Sequence, residues 1–281
     1  MLLRQPHNDG FHILLNHVRF NKTEMKDVMK PETKYVTILR EPLAHWHSVV
    51  KYYSLKKLVT RDDPEEQQDK EMSLQTLLRK IPECRYFSCN LGKNGQFFDL
   101  GVSDKEHFRN TTFTRQIIEQ VDKEFDLVLI TEYFDESLIL LKRMMCWRFE
   151  DILYIPKKLS VEKEVTSFSP EEEKTIRAAS AGDVMLYDYF NRTLWRKIKE
   201  YGPNFDGDLR HFRQLNKRII KNCVDFNSVQ TMGMAFNYEL HNNSVLCQNL
   251  NRDIAPYTFL LAEQVLQRER RIIQPYEQGR R

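Results

Sequence analysis

Residues 113–131, FTRQIIEQVDKEFDLVLIT, constrain the fold of this chain more than any other stretch. Apolar residues at helical spacing run to Phe125, and Leu127–Ile130 then follow with no polar alternation. A strand without a polar face needs cover on both sides, the situation of a parallel strand inside an α/β sheet. An earlier stretch has the same strand-and-helix character. Tyr35–Leu39 reads as a strand, and Pro42 stands at the first turn of a helix expected over about 43–57.

Further helices are expected over LQTLLRKI, with Ser73 as N-cap, and over 135–147. In the latter, Asp135 and Glu136 begin and Lys142 and Arg143 end a helix whose stripe is Leu138, Leu141 and Met145. DILYIP, 151–156, reads as another strand, and the polar 60–73 as a loop. From Ser169 and Pro170 onward the pattern is almost wholly helical. Strands alternating with helices up to about residue 155 place the chain in the α/β class, a parallel sheet flanked by helices with a helical C-terminal part. No repeat and no clean linker interrupts it. A main domain is expected over 1–201, with 202–281 a mostly helical extension packing on the same domain.

Composition excludes several classes. With 41% hydrophobic and 30% charged residues and only 9 glycines, the 281 residues read as a soluble, helix-rich globular protein. A net charge of +3 gives no argument for a nucleic-acid partner. The basic clusters at 216–218 and 268–271 read as solvated helix faces. Five cysteines lack zinc-ligand spacing, and their odd number fits either reduced thiols or two disulfides with one left over. A local Cys84–Cys89 bond is one possibility. Asn21, Asn110, Asn191 and Asn242 each begin an N-glycosylation acceptor triplet. No run of about 18 apolar residues occurs, and MLLRQPHNDG lacks a signal-peptide core, so the chain as it stands is expected to have no route into the secretory pathway.

The chemistry is expected around TKYVTILREPLAHWHSVVKYY, 33–53. A parallel strand ending at Leu39 delivers Arg40 to the carboxyl edge of the sheet, where open α/β folds bind ligands. Pro42 leaves the first amides of the next helix available to an anion. Ser48 lies about 9 Å along that helix from Pro42, within reach of a phosphate also held by Arg40. Spacing alone favours a surface ion pair for Arg40 and no role for Ser48 beyond filling the helix.

YVTILREPLAHWHSVVKYY resembles the 3′-phosphate-binding segment of Golgi carbohydrate sulfotransferases, and most closely that of the galactose-3-O-sulfotransferase family, which includes cerebroside sulfotransferase. FHILLNHVRFN, NGQFFDLGV, 125–155 and LYDYFNRTLWRKI resemble further family blocks, in order from about Phe11 to Lys197. The resemblance implies a P-loop nucleotide-kinase-like sulfotransferase fold and 3′-phosphoadenosine 5′-phosphosulfate as co-substrate, with no metal. Arg40 and Ser48 would bind its 3′-phosphate, and His17 would be the base that takes a proton from the 3-hydroxyl of galactose. The acceptor would be a galactosyl glycolipid or glycoprotein, and the setting the lumenal side of the Golgi membrane, reached through an N-terminal anchor missing from this chain. The family's His-Lys-Thr loop for the 5′-phosphosulfate has no counterpart here, since Lys22-Thr23 is followed by Glu24 and Met25. The first strand-loop unit is therefore expected to be absent. Rival expectations are an inactive fragment or pseudoenzyme of the same fold, a sulfotransferase with another sugar acceptor, and a small-molecule kinase, which the lack of GxxxxGK[ST] disfavours.

Overall fold

The computed structural model describes residues 10–61, 72–102, 110–157 and 168–252, apart from 12, 15–17, 85, 233 and 234, together with 259, 263 and 267. The chain falls into two compact units, Met1–Leu141 with Thr166–Gly202, and Lys142–Val165 with Pro203–Arg281.

The first unit opens with α1 (Lys22–Lys26), β1 (Val36–Leu39) and α2 (Pro42–Tyr52). It continues with α3 (Leu55–Val59), α4 (Leu74–Lys80), α5 (Gly95–Asp99) and α6 (Thr111–Glu124). Next come β2 (Leu127–Ile130), α7 (Phe134–Met144), which begins here, α8 (Pro170–Ala179) and α9 (Ala181–Tyr201). β1 and β2 pair in parallel, Val36 opposite Leu127 through Leu39 opposite Ile130. Asp126 pins the start of the ladder. Its Oδ2 accepts from the Tyr35 N–H at 2.9 Å, and its Oδ1 receives Lys34 Nζ at 2.9 Å. β2 is buried along its whole length, as an alternation-free strand requires, whereas Ile38 of β1 is 45% exposed.

Capping follows the sequence closely. Ser73 Oγ accepts from the Thr76 N–H, and Ser169 forms a capping box with Glu172 ahead of Pro170. Ser137 of α7 is fully buried and bonds both the N–H and the C=O of Ile130, tying that helix to the strand it follows. The helix expected over 43–57 is instead two helices. Ser54 takes a left-handed φ of 51°, and the turn lets Leu55 become fully buried in a core with Trp46, Val49 and Leu77.

The second unit corrects two expectations. DILYIP is not a strand: Phe149–Ile152 form a 3-10 turn, and the Tyr154 N–H donates to Asn216 Oδ1 at 3.0 Å instead of to a ladder. Its apolar residues Ile152, Leu153 and Ile155 are buried without strand pairing. Nor is the C-terminal part wholly helical. α10 (Phe205–Cys223) leads into β3 (Val224–Met232) and β4 (Ala235–Leu240), an antiparallel pair with a bulge between Asp225 and Val229, followed by α11 (Val245–Asn251). The side chain of Asn251 closes a reciprocal pair with Tyr238, accepting from its N–H at 3.1 Å and donating to its C=O at 2.7 Å. Ile155, Cys223, Val224, Tyr238 and Cys247 form the core. Disulfides join Cys84 to Cys89 and Cys223 to Cys247, leaving Cys146 free and exposed. Among the described residues no helix is long and apolar enough to cross a membrane.

Candidate functional site

Arg40 follows the last residue of β1, so the parallel ladder carries it to the carboxyl edge of the sheet. The guanidinium of Arg40 and the hydroxyl of Ser48 have no hydrogen bond or ion pair among the described residues. Ser48 lies on α2, whose buried stripe is Pro42, Trp46 and Val49. Helical spacing puts Ser48 on another face, with Glu41 and His45. Trp46 fixes the rotation of α2 by donating its indole N–H to Gly92 C=O at 3.1 Å. His45 is pushed down to about 4, chiefly by burial and further by the charge of Arg40. It is therefore neutral at pH 7 and adds no charge to the Arg40 locus.

The start of α2 differs from the open anion nest that Pro42 predicts. Glu41 Oε2 accepts from the Ala44 N–H at 2.9 Å, and Glu41 Oε1 lies 2.6 Å from the Arg177 guanidinium. One of the first amides is thus already taken by a carboxylate, which leaves fewer open amides at this helix start than Pro42 alone predicts. Glu132, just past β2, accepts from the Glu41 N–H at 3.0 Å and from the Tyr187 hydroxyl at 3.2 Å. Burial first, then the Glu132 carboxylate, holds Tyr187 protonated well above the usual phenol range.

Sequence reasoning did not single out the residues that hold Arg40. The Gln96 side chain accepts from the Arg40 N–H at 2.7 Å and donates to the Arg40 C=O at 3.0 Å. Asp183, at the start of α9, accepts from the Gln96 and Phe97 N–H groups, each at 3.1 Å. Asn94 Oδ1 in turn accepts from the Asp183 N–H at 3.0 Å. Burial pushes the Asp183 carboxyl up to about 7 against the opposing pull of those amides. The signal available in the sequence was NGQFFDLGV, quoted for its likeness to a family block but not read for the side-chain amides at 94 and 96.

The same short helix holds the described part of the NHVRFN segment. Arg19 Nε donates to Phe98 C=O at 2.9 Å, with its guanidinium 4.2 Å from the Phe98 ring centre. The Phe20 N–H donates to Asp99 C=O at 2.8 Å. Gly101 makes this approach possible: its φ is +89°, and a Cβ there would stand 2.2 Å from the Phe20 carbonyl oxygen. Arg19 is thus engaged with α5 and its aromatic ring. His17 lies outside the described residues.

Of the four sequon asparagines, Asn21 and Asn110 are exposed N-caps of α1 and α6, and Asn242 is exposed with Oδ1 accepting from the Ser244 N–H. Asn191 lies within α9, and its buried Oδ1 has no hydrogen-bond partner among the described residues. No group of three or more His, Cys, Asp or Glu among the described residues is placed to hold a metal ion.

Among the described residues, an arginine and a serine on one strand–helix unit, braced from a neighbouring helix, thus stand without polar side-chain partners at the carboxyl edge of a small parallel sheet. Residues 3–267 match the family model for galactose-3-O-sulfotransferase, and the chain belongs to that family. It is 35% identical over 221 residues to galactose-3-O-sulfotransferase 3 of Mus musculus, covering 75% of this chain and 49% of that protein. It is 30% identical over 268 residues to galactosylceramide sulfotransferase of Mus musculus, covering 91% of this chain and 62% of that protein. Galactose-3-O-sulfotransferase 2 of Sus scrofa is 34% identical over 198 residues, 69% of this chain and 48% of that protein. The chain thus spans about half to three-fifths of the length of these curated relatives. No solved structure matches it. The family expected from the ordered sequence blocks is the family found.

Proposed function

We propose that this chain carries the 3′-phosphate-binding part of a sulfotransferase that moves a sulfuryl group from 3′-phosphoadenosine 5′-phosphosulfate to the 3-hydroxyl of galactose. The acceptor is a galactose-bearing glycolipid or glycoprotein, by analogy with the names of the relatives. The expected fold is the nucleotide-kinase-like sulfotransferase fold, with which a small parallel sheet under helices is compatible. The acceptor oxygen attacks sulfur in line, and the bond from sulfur to the 5′-phosphate oxygen breaks. The hydroxyl proton passes to His17, and adenosine 3′,5′-bisphosphate leaves. Arg40 and Ser48 anchor its 3′-phosphate through a charge-assisted fork and a hydroxyl donor. The lumen of the Golgi is the proposed location. The two disulfides support an oxidising compartment, and three exposed sequon asparagines suit it.

The observation that carries the reading is that Arg40 and Ser48 are held on one β1–α2 unit with their polar ends unengaged among the described residues. Calorimetric titration with adenosine 3′,5′-bisphosphate tests it. Arg40→Ala with Ser48→Ala is expected to weaken binding by about 100-fold, the worth of two hydrogen bonds to a charged group. Unchanged affinity in a folded double variant would sink the assignment.

A further inference from the structure

The Arg40 guanidinium has no hydrogen bond or ion pair among the described residues, but its backbone is held by a side chain. Past Leu39 the β1–β2 ladder stops, and the next peptide groups need partners. The Gln96 carboxamide supplies them for Arg40, with its oxygen 2.7 Å from the N–H and its nitrogen 3.0 Å from the C=O. One side chain thereby stands in for a neighbouring strand and extends β1 by one residue. Gln96 itself has little freedom. It is 6% exposed, its own N–H is taken by the buried Asp183, and Asp183 is 1% exposed and held by Asn94. Gly95 completes the brace, since a Cβ there would press on His45 Cε1 at 3.1 Å, so α5 lies directly against α2.

We propose that Gln96 is a positioning residue for the 3′-phosphate site, an inference that rests on Arg40 being the phosphate ligand. By fixing both peptide groups of Arg40, Gln96 sets the direction in which the guanidinium fork leaves the sheet edge. A planar two-pronged donor depends on its aim, whereas an ammonium on a flexible stem does not. Losing the brace therefore costs affinity in proportion to how far the site relies on the fork.

The test is a double-variant cycle on the full chain, with adenosine 3′,5′-bisphosphate as the probe and calorimetry as the readout. Gln96→Met keeps the length and packing of the side chain and removes both bonds to Arg40. It is expected to weaken binding about tenfold beside Arg40, and less than about threefold in an Arg40→Lys background. Gln96→Glu keeps the acceptor for the N–H but loses the donor to the C=O, and is expected to fall between Gln96→Met and the unaltered chain. Thermal melting of each variant accompanies the titrations. A merely structural role predicts equal losses in both backgrounds, tracking the melting temperature, and that result overturns the proposal. So does unchanged affinity in folded Gln96→Met. If Arg40→Ala leaves affinity unchanged, or the unaltered chain does not bind the bisphosphate, it is the 3′-phosphate reading itself that fails.

Discussion

Asp183→Ala is expected to lower the unfolding free energy by about 3–5 kcal/mol, the loss typical when one partner of a buried charged or hydrogen-bonded group is removed. The carboxyl is 1% exposed and accepts the N–H groups of Gln96 and Phe97. Those two donors have no water to turn to once the acceptor is gone. Urea denaturation with a two-state fit measures the loss, and a change under about 1 kcal/mol would rule the bracing role out. The pH dependence supplies a separate check. In the folded chain the carboxyl holds its proton up to about 7, while in the unfolded chain it ionises around its ordinary value of 3.8. Between about pH 4 and 7 the unfolded state therefore binds fewer protons than the folded one, and stability from this group falls as pH rises. Its advantage over Asp183→Asn, which cannot titrate, should shrink by up to about 4 kcal/mol across that window. A gap that widens with pH would show that the amides hold the group ionised.

The second large effect is expected in the C-terminal unit. Cys223 and Cys247 are bonded across 24 residues, a loop that contains the whole β3–β4 pair. Replacing both by serine is expected to destabilise this unit by about 3.5 kcal/mol on the chain-entropy account, against about 2 kcal/mol for Cys84 and Cys89, five residues apart. Hydrogen exchange at the Tyr238 N–H reports the opening locally, because that amide lies inside the bonded loop and is tied to Asn251 just beyond it. Thiol titration of the native chain should find one reactive cysteine, Cys146, and five after reduction and unfolding. Three or more in the native state would contradict the pairing.

Where local chemistry decides an element, the sequence was legible. Leu127–Ile130, Ser73 and Ser169 with Pro170 behave as their residue types require, because burial on both faces and side-chain caps are local matters. The break at Ser54 was hidden, since nothing in VVKYYSLKKL shows that Leu55 must turn into the core under Trp46. DILYIP shows the limit of reading apolar runs. Its aliphatic residues are buried as those of a strand would be, but the Tyr154 N–H finds its partner in Asn216, 62 residues away. The β3–β4 pair went unread although Val, Phe and Tyr recur through 224–240, because the helical periodicity on either side dominated. Arg40 and Ser48 stood out on motif and position. Gln96 and Asp183 did not, because their role depends on partners 56 and 87 residues distant, which no local pattern encodes.

That distance also sets a schedule. On a ribosome adding about 5–20 residues per second, Asp183 emerges roughly 4–17 s after the Gln96 amide it must receive. β1, β2 and the Cys84–Cys89 pair are all available by then, so the strand edge exists before its brace does. Through this interval the Gln96 and Phe97 amides remain uncapped, and the brace on the Arg40 backbone is completed only once the start of α9 arrives. The proposed anion site would thus be among the last parts of the first unit to be finished, and a chain arrested before residue 183 would present Arg40 without the carboxyl group that steadies its support.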